Sequence, residues 1–81
     1  MDSDEYKHEI EIKAPMPGLI LKVNKSKGEK VKKGESVLIL EAMKMENDLK
    51  AGENGIVKDI FVNEGVTVEK GVTLFSIVKH D

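Results

Sequence analysis

The chain has 81 residues, no cysteine, and 13 basic against 15 acidic side chains for a net charge of −2. It is therefore one small domain with a thin core that no disulfide or thiolate metal site can staple. With Tyr6, Phe61 and Phe75 as its aromatics, it lacks the basic stripe and stacking residues of a nucleic-acid binder, and its longest apolar run, Val37 to Leu40, is too short for a membrane span or signal-peptide core.

Residues 1–8 are polar and read as a flexible N-terminal segment or linker stub, with the domain proper over 9–81. From Ile10 onward the chain repeats itself with an offset of 37: Gly18 matches Gly55, Gly28 matches Gly65, and Gly34 matches Gly71. Short segments rich in Val, Ile and Leu, punctuated by glycine, predict strands over 9–14, 18–24, 29–33, 36–42, 45–51, 55–62, 66–70 and 73–79. Pro15 and Pro17 mark a crossing or an edge before the second strand, and Gly28 and Gly65 close turns that call for a positive φ.

Positions apolar in both halves predict the core: Ile12 with Leu49, Ala14 with Ala51, Ile20 with Val57, Val23 with Ile60, Val31 with Val68, Val37 with Leu74, Leu38 with Phe75, and Leu40 with Ile77. Positions that switch character, Leu21 against Lys58 and Ile39 against Ser76, are expected outside. Each half is a unit that cannot bury its apolar side alone. The expected fold is all-β, a flattened eight-stranded barrel or sandwich of two four-stranded antiparallel sheets related by a pseudo-twofold. Adding 37 to 44 gives 81, so a twofold sends Lys44 and the end of the chain to opposite poles.

Glu41-Ala42-Met43-Lys44-Met45-Glu46-Asn47 lies between two of these strands and reads as a tight hairpin with Met43-Lys44 at its tip. The tip holds neither glycine nor asparagine, although favoured hairpin turns usually ask for one; an unfavourable turn kept at an exposed tip hints at function. A lysine on a turn is by itself ordinary. Two exposed methionines beside it are less so, since they stabilise nothing by burial and suit a partner's grip. Glu41 and Glu46 read as solvated residues or recognition contacts, not as an acid/base pair. Lys22, Lys25, Lys27, Lys30, Lys32 and Lys33 read as a solvated basic face, or as a dock for an acidic partner. His8 and His80 have no metal-ligand spacing, and no metal is expected.

Ala42-Met43-Lys44-Met45 resembles the attachment motif of biotin carrier domains, and Pro15-Met16-Pro17-Gly18, Gly34, Gly55 to Val57 and Glu64-Gly65 look like landmarks of the same family; the likeness spans about residues 12–78. The resemblance implies that Lys44 is the covalent biotin attachment site and that the domain is a biotin carboxyl carrier, not an enzyme. It implies recognition of Ala42, Met43, Met45, Glu41 and Glu46 by a biotin protein ligase and partner enzymes. Those partners would be a biotin carboxylase, which loads a carboxyl group, and a carboxyltransferase or decarboxylase, which removes it. A cytoplasmic location goes with that role and with the absence of cysteine.

Lipoyl domains are the nearest rival, but their lysine is typically preceded by Asp and followed by Ala. Unmodified adaptor modules of the same barrel lack such a lysine motif. A Schiff-base enzyme would need a pocket to lower the lysine pKa, which an exposed tip does not offer. Gly18 to Glu41 aligns with Gly55 to Val78 without a gap, leaving no room for the protruding thumb of bacterial acetyl-CoA carboxylase carriers. The thumbless carriers of pyruvate and acyl-CoA carboxylases and of biotin-dependent decarboxylases are the expected kin.

Overall fold

The computed structural model describes residues 9–79. His8, His80 and the expected N-terminal segment 1–8 lie outside the described residues. The strands are β1 (Glu9–Lys13), β2 (Gly18–Val23), β3 (Lys30–Val31), β4 (Ser36–Ala42), β5 (Met45–Lys50), β6 (Gly55–Ile60), β7 (Thr67–Val68) and β8 (Thr73–Lys79). One sheet has the order β1-β8-β6-β3 and the other β5-β4-β2-β7, with every pairing antiparallel. The two sheets share no ladder, so the architecture is a sandwich and not a closed barrel.

A shift of 37 residues carries one sheet order onto the other, and the bonds between the strands obey it as well. Gly28 N donates to Val57 O at 2.7 Å as Gly65 N does to Ile20 O at 2.8 Å. Gly34 N donates to Ala51 O at 2.7 Å as Gly71 N does to Ala14 O at 2.9 Å. These four glycines have φ between 88° and 91°, a region a side chain enters only at a cost. The repeat in the sequence is thus a repeat of backbone geometry.

All eight apolar pairs expected inside belong to the core or pack against it. Phe75, Leu38, Ile20, Leu40 and Leu74 are fully buried, each burial stabilising the fold by about 1.5–3 kcal/mol. The expectation that switched positions lie outside fails at Ser76, which is fully buried. Its neighbours explain this: Ser76 sits on β8 between Glu11 of β1 and Asp59 of β6, and Lys58 Nζ reaches Glu9 Oε1 across the same strand at 3.0 Å. Small and flanked on both sides, Ser76 is roofed over, and its Oγ has no hydrogen-bond partner. Leu21 is 38% exposed and Ile39 half-buried.

The strands expected at 29–33 and 66–70 shrink to two residues each. Turn bonds claim the rest: Glu29 N donates to Ser26 O at 3.0 Å, and Lys32 N to Glu35 Oε1 at 2.7 Å. Lys25 ties the same excursion together, lying 3.6 Å from Glu29 and 3.5 Å from Glu35, while Lys27 pairs with Asp59 at 3.2 Å. The bond from Lys32 N, followed by the nearby Lys25 ammonium, holds the Glu35 carboxyl below its ordinary pKa. A depressed carboxylate pKa contributes stability that is present above the unfolded value and lost as pH falls through the folded one. Glu35→Gln is therefore expected to flatten the acid limb of thermal stability below about pH 4.3, and to change little of its shape at neutral pH. Melting curves from pH 3 to 7 check this; an unchanged acid limb would contradict it.

Candidate functional site

β4 and β5 form a hairpin, regular from Leu38 to its tip, in which Glu41 pairs with Glu46 and Ala42 with Met45. Two residues remain for the tip, Met43 at φ 53° and Lys44 at φ 66°. Positive φ at both central positions is the hairpin turn whose twist matches its strands. For residues with a Cβ that conformation costs about 1–2 kcal/mol each. The hairpin meets this cost without any return in burial, since Met43 is 88% and Met45 67% exposed.

The base beneath the tip is firm. Asn47 Nδ2 donates to Leu40 O at 3.3 Å and to Met45 O at 3.4 Å, bracing the two strands. Ala42, expected among the residues a ligase reads, is 5% exposed and packs inward. It faces Gly18, where an added Cβ would collide with the Glu41 carbonyl oxygen and lie 3.2 Å from the Ala42 Cβ. Gly18 thus lets the start of β2 lie close against β4 at the base of the hairpin. Neither Asn47 nor the contact of Gly18 is evident from the motif; the pairing of Gly18 with Gly55 in the repeat was the available signal for the latter, and Asn47 gave none.

Glu41 and Glu46 are direct cross-strand neighbours, an unfavourable pairing of like charges. Two surface grooves are built from other parts of the chain, one including Lys25, Val31, Asn54 and Gly55, the other Val23, Ile60, Val62 and Glu64. Lys44 lies in neither and is exposed, so its amine is presented outward instead of enclosed. At the opposite pole, Ala51 at the end of β5 bonds to Glu35, and four residues later Gly55 pairs with Lys79. The last described residue is therefore remote from Lys44 in a molecule 43 Å long and 20 × 17 Å across.

A family model described as "Biotin-requiring enzyme", of the biotin/lipoyl type, matches residues 10–77. The chain belongs to this biotin/lipoyl family. Over 64 residues it is 48% identical to the biotin carboxyl carrier protein of acetyl-CoA carboxylase from Solanum lycopersicum, covering 79% of this chain and 91% of that protein. Over another 64-residue match it is 50% identical to the biotin carboxyl carrier protein of Streptococcus mutans, covering 79% of this chain but 49% of the relative. A solved single-chain, multi-domain long-chain acyl-CoA carboxylase superposes with a TM-score of 0.84 at 28% identity, over 94% of this chain and 8% of that one. The family's sandwich thus recurs as a small part of much larger chains.

The strain at the tip of this family member is measurable. Met43→Gly removes one costly positive φ, about 1–2 kcal/mol, against an entropy cost of about 0.5–1 kcal/mol for glycine. The variant is expected to be more stable by up to about 1.5 kcal/mol. Thermal melting checks this; a lower melting temperature would contradict it.

Proposed function

We propose that Lys44 carries biotin as an amide on its Nζ and that the domain presents it alternately to a loading site and an unloading site on partner enzymes. The chain is a biotin carboxyl carrier domain and not itself a catalyst. The observation that carries the assignment of Lys44 is the strained, outward-facing turn that holds it on a rigid base, with no enclosing pocket. A primary amine so placed fits a covalent cofactor on a long stem, because nothing on this chain needs to bind the ring.

Biotin supplies a ureido nitrogen that can take up and release a carboxyl group; this chain supplies position and reach. At pH 7 roughly one free lysine in two thousand is a neutral nucleophile, so the ligase must bring an activated acyl donor and receive the amine in its own site. Amide formation removes the charge of Lys44. Tethering then replaces diffusional encounter with a high effective concentration. The relatives' names support carboxylase partners in general; we assign the loading site to a biotin carboxylase and the unloading site to a carboxyltransferase or decarboxylase, which would choose the acceptor substrate. We place this work in the cytoplasm, beside an ATP-dependent ligase.

Incubation of the chain with a bacterial biotin protein ligase, ATP and biotin is expected to add a single biotinyl group by intact mass. A parallel incubation with a lipoyl ligase and lipoate is expected to add nothing, because Met43 and Met45 stand where lipoyl domains typically carry Asp and Ala. Lipoylation without biotinylation would overturn the reading in favour of a lipoyl carrier.

A further inference from the structure

The pairing of β5 with β4 recurs, rung for rung, in the pairing of β1 with β8. Glu46 opposite Glu41 becomes Glu9 opposite Val78, Asp48 opposite Ile39 becomes Glu11 opposite Ser76, and Leu49 opposite Leu38 becomes Ile12 opposite Phe75. On the rung between the first two, Asn47 stands opposite Leu40, and its equivalent is Ile10 opposite Ile77. The same backbone site thus carries an amide in one sheet and an isoleucine in the other. The sandwich accepts an apolar side chain there, so the amide of Asn47 is not a requirement of the fold.

What distinguishes the Asn47 site is its place under the turn. Its Nδ2 donates to Leu40 O on β4 at 3.3 Å and to Met45 O on β5 at 3.4 Å, and Met45 belongs to the pair that closes the turn. Two carbonyl oxygens in reach fix which end of the amide faces them, because only the nitrogen end can donate. Among the described residues, no other side chain bonds to the backbone between Leu40 and Asn47. Directly above lie Met43 and Lys44, both at positive φ, and such conformations persist only where the surroundings over-determine them. Burial does not do so here, since both tip residues are exposed. Asn47 is the side chain that ties the two strands together at that point.

We infer that Asn47 is a positioning residue for the modification of Lys44: its carboxamide keeps the tip in the turn that presents the amine to the ligase. This role rests on the reading of Lys44 above. It needs no contact between Asn47 and the ligase. Without the donor the tip samples other turns, and an equilibrium in which only a fraction of chains is competent weakens apparent affinity by that fraction. Chemistry after docking is unchanged. Both bonds are long for N–H to O, so they add little to global stability, and what they fix is local.

The test compares the wild-type chain with Asn47→Ile, which installs the residue of the equivalent rung, and with Asn47→Ala. Both variants are expected to fold and to melt close to wild type. The ligase KM for the carrier is expected to rise about three- to tenfold in both, the scale of one or two lost hydrogen bonds, with kcat little changed. In NMR spectra the backbone amides of Met43 and Lys44 are expected to show microsecond-to-millisecond exchange in the variants and not in the wild type. Wild-type KM in both folded variants would overturn the inference. So would a raised KM with an unaltered tip, which would make Asn47 a direct ligase contact, or a raised KM in Asn47→Ile alone, which would be an effect of bulk. Failure of both variants to fold would make Asn47 a structural residue and overturn it as well. A wild-type chain that the ligase does not label at Lys44 sinks the Lys44 reading itself, whereas a labelled wild type with unaffected variants sinks only the role of Asn47.

Discussion

Lys44→Arg will take up no biotin. All 13 basic residues of the chain are lysines, so twelve other lysine amines remain in the variant, and loss of labelling measures position and not chemistry. Arginine keeps the charge, the length and the same cost of positive φ, but its pKa lies so far above that of lysine that its neutral fraction is at least about a hundredfold smaller. Incorporation is therefore expected to fall more than about a hundredfold, to background. The melting temperature should stay close to wild type, since an exposed substitution of this kind changes stability by about 0.5 kcal/mol or less. Residual labelling near the wild-type rate would mean that another lysine is the acceptor.

Phe75→Ala should have the largest effect on the fold. Phe75 is the bulkiest of the fully buried side chains and stands in the repeat where the first half has Leu38. Its truncation is expected to cost about 3–5 kcal/mol, comparable with everything a core of this size supplies. At about 4–8 °C per kcal/mol for a domain of this length, the melting temperature should fall by about 12 °C or more, with labelling lost as unfolding sets in. A drop of only a few degrees would mean that the core repacks around the hole. Leu38→Ala should be severe in the same way, because the two residues occupy equivalent places in facing sheets, whereas Lys44→Arg should separate labelling from stability completely.

The interior was legible because it is written twice. A position that must be apolar in both halves, such as Ile20 with Val57 or Leu40 with Ile77, is constrained by the same packing in both sheets. The tip was legible for the opposite reason: a turn without glycine or asparagine stands out where the geometry asks for one, and both tip residues do adopt positive φ. Ser76 escaped because its burial comes from flanking strands and an ion pair that only the sheet order brings together. The shortness of β3 and β7 escaped because turn bonds to Glu35 and to the glycines compete with the ladder, and apolar pattern does not register that competition. Ala42 belongs to the motif, yet its side chain is turned toward Gly18, so a short motif mixes residues that are read from outside with residues that hold the reading frame.

The central claim, that Lys44 at the strained tip is the one carrier site, is tested most directly by peptide mapping of the chain after treatment with a biotin protein ligase. The account predicts biotin on the peptide containing Lys44 and on no other. Biotin on any of the remaining lysines to a comparable extent, or an unlabelled Lys44 in a folded chain, would contradict it.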